Sequence, residues 1–111
     1  MKTIMIDGYN FTGPYIAGKG EVPAINGIAL ICSEAGEGMM ILAVEYGDNL
    51  QTQIESSPNM QLWKDNAFHG VVDVYVCEME PPKRDSVAKS IIDKRKNHLR
   101  CQKIEAIVDD W

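Results

Sequence analysis

The chain has 111 residues, of which 45% are hydrophobic and 24% charged, and its formal net charge is −5. This length suits one domain with its own core, and the composition is ordinary for a globular protein. The longest apolar run, 39–44, is too short to cross a bilayer, no secretory signal is evident, and the three cysteines are widely spaced. We therefore expect a cytoplasmic protein with no membrane segment, no disulfide framework and no zinc knuckle.

The first 21 residues are predicted to form an N-terminal arm. Residues 3–6 favour a short strand, whereas 8–20 are rich in glycine and aromatic residues and favour an extended or irregular path. The core, 22–99, opens with a strand over about 27–33. A glycine-containing loop returns the chain into a second strand over about 39–46, and we expect the two strands to form a hairpin.

Two short helices are predicted to follow the hairpin. Gly47 ends the second strand, and Asp48 is the expected N-cap of a helix over about 49–56. Ser57 and Pro58 repeat the start signal, with serine as N-cap and proline at the first helical position. The second helix should carry Trp63 into the core.

The last two predicted elements are a strand and a longer helix. Residues 71–77 are dense in β-branched side chains and indicate a strand, and 85–99 carry an apolar stripe that indicates a helix. The C-terminal segment, 100–111, fits either a strand or a short helix at 104–111. The order β-β-α-α-β-α predicts a single α+β domain with a small, mainly antiparallel three-stranded sheet flanked by helices.

Basic residues are concentrated near the C-terminus. Residues 83–103 hold eight of the eleven lysines and arginines but only two acidic residues. The candidate basic stripe comprises Lys89, Lys94, Arg95, Lys96 and Arg100. Such a stripe can bind nucleic acid, or it can be a solvated helix face opposite the molecule's own acidic surface. The acidic whole chain disfavours nucleic acid, because that affinity depends on neutralising phosphates.

The pattern of the central region resembles the GIY-YIG nuclease domain over about residues 11–97. The resemblance rests on Val22-Pro23 before Gly27-Ile28, on an apolar second strand that ends at Gly47-Asp48-Asn49-Leu50, and on Pro58 and Trp63 beyond the first helix. It implies a nuclease-like fold. It also implies a site in which two tyrosines position or deprotonate water, an arginine contacts the phosphate and a glutamate binds a divalent metal.

The positions that correspond to those groups lack the required chemistry. The tyrosines correspond to Ala29 and Leu42, the arginine to Gln53 and the glutamate to Ala88, with Asp85 one turn earlier as a less favoured substitute. Phosphodiester cleavage needs an oriented nucleophile and stabilisation of developing charge. The resemblance therefore implies a relative without catalytic residues, metal or cofactor.

Both faces of the predicted hairpin are apolar, which is unusual for a hairpin with one wet side. One explanation is that the chain's own helices and N-terminal arm cover it. The other is an exposed docking surface for a protein, with Met39, Met40 and Met60 as adaptable contacts. The residues of this candidate binding surface are Ala29, Ile31, Leu42, Val44, Tyr46 and Gln53.

These observations favour a non-catalytic GIY-YIG-like domain that acts as a protein-interaction or regulatory module. Its expected partner is a protein, either a second copy or another chain. A first alternative is a divergent metal-dependent nuclease that uses Glu45, Asp85 or Tyr46. A second alternative is nucleic-acid binding through the basic helix at 83–103.

Overall fold

The computed structural model describes residues 1–35 and 38–102, in which five strands form one sheet. The strands are β1 (Lys2–Ile6), β2 (Tyr9–Ile16), β3 (Gly27–Ala35), β4 (Gly38–Gly47) and β5 (Asp73–Glu78). Their order across the sheet is β1-β2-β5-β3-β4, and every neighbouring pair is antiparallel. The helices are α1 (Leu50–Glu55), α2 (Met60–Asn66) and α3 (Lys83–Arg95), with a short 3₁₀ turn at Phe68–Gly70 between α2 and β5.

The α+β class is confirmed, but the prediction of a three-stranded sheet is wrong. Strands β3, β4 and β5 are the predicted ones, and the short strand favoured at 3–6 is β1. The segment 8–20, expected to be extended or irregular, supplies β2. Asp7 and Gly8 both have positive φ, 53° and 86°, and form a two-residue turn that pairs Ile6 with Tyr9. Phe11 is fully buried and fastens β2 to the core.

Helices cover the sheet on both faces. On the first, here called the α1/α2 face, Leu50, Ile54 and Trp63 pack against a cluster that includes Ala29 and Ile31. On the opposite α3 face, Ala88 and Ile91 pack in a cluster with Phe11, Ile28, Leu30, Val44 and Tyr75. Each face thus has its own apolar core, and the central strands are buried on both sides.

A β-bulge interrupts the alternation of side chains along β4. Ile31 pairs with Ala43 and Cys32 with Ile41, so Leu42 is the extra residue. Beyond the bulge the faces are exchanged, because Ala43 packs on the α1/α2 face and Val44 on the α3 face. Met39, Ile41, Val44 and Tyr46 therefore share the α3 face, although a regular alternation would place Val44 and Tyr46 opposite Met39 and Ile41.

The start of α1 is one residue later than predicted. Asn49, not Asp48, is the N-cap, and its Oδ1 accepts a hydrogen bond of 3.2 Å from the backbone N–H of Thr52. Asp48 is not the cap because its carboxylate accepts from the guanidinium of Arg84 instead.

The other helix boundaries also differ from the predicted ones. The N-cap of α2 is Asn59 instead of Ser57, whose Oγ accepts from the backbone N–H of Asn59 in the preceding turn. Helix α3 ends at Arg95 instead of 99. In the described part of the chain, no helix is both long and apolar enough to span a membrane.

After α3 the chain crosses the outer edge of β4. Leu99 packs on the α3 face and Cys101 on the α1/α2 face. The backbone N–H of Cys101 donates to the carbonyl of Leu42 at 2.9 Å, and Oε1 of Gln102 accepts from the backbone N–H of Val44 at 2.7 Å. The strand or helix predicted at 104–111 lies outside the described residues.

Candidate functional site

The four positions that correspond to the nuclease groups do not meet in one site. Ala29, Leu42 and Ala88 are each 0% exposed, so their side chains have no contact with solvent. Ala29 lies on the α1/α2 face and Ala88 on the α3 face, which places the sheet between them. Gln53 is half-buried on α1.

Next to Ala29 lies a hydrogen-bonded pair formed by the side-chain amide of Gln53 and the carboxyl group of Glu45. Nε2 of Gln53 donates to Oε1 of Glu45 at 2.8 Å, and Glu45 is the cross-strand partner of Ala29. A Cβ atom at Gly47 would overlap the amide oxygen of Gln53, so glycine there leaves room for this pair. Burial raises the pKa of Glu45, and the hydrogen bond from Gln53 lowers it in part.

The residues of the nuclease alternative are also kept apart. Glu45 contacts α1, whereas Tyr46 packs with the cluster on the α3 face. Asp85 accepts from Nε of Arg84 at 2.8 Å. Among residues 1–35 and 38–102, no group of three or more His, Cys, Asp or Glu side chains is arranged to hold a metal ion.

Arg84 is a buried arginine at the centre of a polar network that the sequence did not reveal. The residue is only 9% exposed, and its Nη1 donates to Asp48 at 2.6 Å and to Oδ1 of Asn26 at 2.7 Å. The hydrogen bonds to Asp85 and then Asp48 raise the pKa of Arg84. This network joins the start of α3 to the link before β3 and to the end of β4.

Three of the five residues in the predicted basic stripe pair with carboxylates of the same chain. Arg95 contacts both carboxylate oxygens of Asp7, at 2.7 and 2.9 Å, and Lys94 lies 3.7 Å from the same group. Lys96 pairs with Asp93 at 3.6 Å. The remaining two members of the predicted stripe, Lys89 and Arg100, are exposed, and Arg100 lies beyond α3.

The predicted docking face of the hairpin is covered by the fold. Four of its six residues, Ala29, Ile31, Leu42 and Val44, are at most 1% exposed. The bulge also places Ala29 and Ile31 on one face and Val44 and Tyr46 on the other. The burial agrees with the explanation that the chain's own helices cover the hairpin, and these six side chains do not share one exposed surface.

An open cleft lies instead between the far end of the β3–β4 hairpin and the segment from α2 to the 3₁₀ turn. Its volume is about 560 Å³. The backbone N–H of Phe68 donates to Oγ of Ser33 at 2.7 Å, which holds the turn against β3. The cleft is lined by Ser33, Met39, Met40, Asp65, Phe68 and Arg100, among others.

Of the residues in this cleft, the sequence indicated Met39, Met40 and Arg100, but as members of two separate surfaces. Phe68 is 53% exposed, and Arg100 comes from beyond α3, so only the folded chain brings them to the hairpin. No local spacing connects residues so distant in sequence. Comparisons of the chain with protein-family models, with curated proteins and with solved structures give no match.

Proposed function

We propose that this domain is a protein-binding module without catalytic activity, and that it binds through the cleft beside Phe68. The observation that carries the proposal is the exposed aromatic ring of Phe68 in a cleft that Met40 also lines. Large exposed apolar side chains grouped in a concave surface are typical of binding sites. The buried Ala29 and Leu42 offer no comparable contact.

The chemistry of the lining indicates the kind of partner. The thioether side chain of Met40 is flexible and adapts to different apolar shapes. Phe68 supplies a rigid anchor, because its backbone is tied to Ser33. Arg100 adds a cation that can bind a carboxylate in two parallel hydrogen bonds. The partner we infer is a protein segment with apolar side chains and one carboxylate.

The surroundings of Glu45 support a module that lacks catalysis. The amide of Gln53 binds the chain's own carboxyl group at the position where the resembled family has a phosphate-binding arginine. Arg84, Lys94 and Arg95 are likewise engaged by carboxylates of the same molecule. The formal net charge of the chain is −5, so a protein partner suits it better than a nucleic acid.

The proposal is tested by quantitative affinity capture from cells that express the protein naturally. The baits are the wild type, Phe68→Ala, Met40→Glu and a matched control, Leu62→Ala, which removes another exposed apolar side chain. We expect one protein to be retained in near-stoichiometric amounts by the wild type and by the control, and lost with the two cleft variants. Retention of the same proteins by all four baits would contradict the proposal.

A second measurement tests the inferred carboxylate. Arg100→Glu should weaken binding of the captured partner at least about tenfold, since it replaces attraction by repulsion. Binding by the wild type should weaken as salt is raised, and binding by the variant should respond less. Isothermal titration with the purified partner measures both effects, and an unchanged affinity would remove Arg100 from the site.

A further inference from the structure

The two outer edges of the sheet differ in how they are protected. The edge of β4 is covered at Leu42 and Val44 by residues 101 and 102 and carries a bulge. Within the described ranges, no residue forms a backbone hydrogen bond with the outer edge of β1. An uncovered edge strand is a template for another strand.

The tight turn at Asp7 and Gly8 determines which groups of β1 face outward. In a two-residue hairpin, the flanking residues Ile6 and Tyr9 form a hydrogen-bonded pair. Alternation then turns the N–H and C=O groups of Ile4 towards β2 as well. The corresponding groups of Thr3 and Met5 therefore point away from the sheet, which gives β1 two outward donors and two outward acceptors.

The usual protection of an edge strand is missing from residues 3–6. They contain no charged side chain and no proline, and β1 pairs with β2 without a bulge. Lys2 is charged, but its Nζ lies 3.2 Å from Glu34 on β3, which is the third strand from β1 in the sheet order. The charge of Lys2 is thus directed over the sheet and away from the edge. The side chain of Met5 is exposed, with 67% of its surface open to solvent.

We propose that β1 pairs antiparallel with β1 of a second copy of this chain, around a two-fold axis at Ile4. In this register Thr3 lies opposite Met5 of the second copy, so every outward N–H and C=O of the two residues is paired. Ile4 meets its own counterpart on the α3 face. Shifting the register by two residues would leave half of these groups without a partner inside β1.

The charges agree with a second copy as the occupant. Lys2 lies opposite the apolar Ile6 of the second copy, so no like charges oppose each other within the paired strands. The joined sheets would form one sheet of ten strands. The contact is short compared with a standard interface of about 1,600 Å². The dimer is therefore reversible and depends on protein concentration.

Sedimentation velocity over a range of protein concentrations tests the proposal. Met5→Lys places a charge on the edge, and Met5→Pro removes an outward N–H that the fold does not use. The matched control is Asn10→Lys, which adds the same charge on β2 directly across from Met5. We expect the wild type and the control to dimerise alike and both Met5 variants to stay monomeric, with urea midpoints close to that of the wild type.

Amide hydrogen exchange gives a second, residue-specific result. The amides of Thr3 and Met5 should exchange more slowly as the wild-type concentration rises, whereas the Ile4 amide, already bonded to β2, should change little. A monomer at all concentrations, or a dimer that persists in both Met5 variants, would overturn the proposal. Phe68→Ala should leave dimerisation unchanged. Failure of the dimer proposal can therefore be distinguished from failure of the proposal that the cleft binds a protein.

Discussion

Gln53 donates a hydrogen bond of 2.8 Å to Glu45, directly beside the fully buried Ala29. The side-chain amide of Gln53 is thus satisfied by a carboxyl group of the same chain. In the resemblance to the nuclease domain, Gln53 corresponds to an arginine that contacts the phosphate. The neighbouring position, where a tyrosine is expected from the resemblance, is filled by an alanine that packs under α1 and α2.

Glu45→Gln should make the protein more stable at neutral pH. Burial raises the pKa of Glu45 above its ordinary value of 4.5, so its ionised form costs stability in the folded state. That cost is present above the folded pKa and disappears as the pH falls below 4.5. The urea midpoint of the variant should therefore exceed that of the wild type at pH 7.5, and the difference should shrink towards pH 4.

The control for this prediction is Glu78→Gln, which removes an exposed carboxylate at the end of β5. Its urea midpoint should follow the wild type across the same pH range. A lower midpoint for Glu45→Gln than for the wild type at pH 7.5 would show that the charge on Glu45 supports the fold.

Ala29→Tyr should destabilise the fold by about 3 kcal/mol or more. The substitution forces an aromatic ring into a site with no exposed surface, beneath Leu50 and Trp63. Thr12→Tyr is the control, because Thr12 is exposed on β2 and tyrosine suits a strand. Urea denaturation measures both free energies of unfolding. Equal stability of the two variants would mean that the site at Ala29 has room for a tyrosine side chain.

Asp7→Asn should cost roughly 1 kcal/mol at neutral pH, since it removes a paired carboxylate while keeping a residue that tolerates positive φ. The hydrogen bond from Arg95 is the main reason that the pKa of Asp7 is lowered from 3.8. The stability that the Asp7 carboxylate contributes is fully present above pH 3.8. It is lost as the pH falls through the lowered pKa that Asp7 has in the folded state. Urea midpoints of both proteins should converge in strong acid, and a constant difference down to pH 2 would refute this assignment.

Arg84→Met should lower the urea midpoint without changing the slope of the transition. The variant leaves Asn26 and Asp48 without their shared donor and separates the start of α3 from the end of β4. Lys89→Met, on the exposed side of the same helix, should have a much smaller effect. If the two variants unfold at the same urea concentration, the Arg84 network does not hold α3 in place.

The sequence predicted the elements whose signals are local. Strands β3 and β5 were identified from their apolar and β-branched runs, and α3 from its apolar stripe. Strand β1 was predicted at 3–6, but β2 was missed, because the glycine and aromatic residues of 8–20 indicated an irregular path and hid the two-residue turn at Asp7 and Gly8. That turn needs positive φ at both positions, which Asp-Gly supplies.

The site was less predictable because it depends on distant residues. The bulge at Leu42 reverses the faces of β4, and nothing in an unbroken apolar run marks where it occurs. Arg84 belongs to a basic run, yet its partners Asn26 and Asp48 lie in another part of the sequence. Only the packed chain shows that this arginine is structural and that Phe68 and Arg100 share a cleft.

The central claim, that the domain binds protein and does not cleave nucleic acid, is tested most directly by a cleavage assay. The purified wild type is incubated with labelled double-stranded DNA, single-stranded DNA and RNA in magnesium and in manganese, beside an active nuclease in the same buffers. We predict intact substrates in every reaction that contains this protein. Metal-dependent cleavage by the wild type that disappears in Glu45→Gln would contradict the claim.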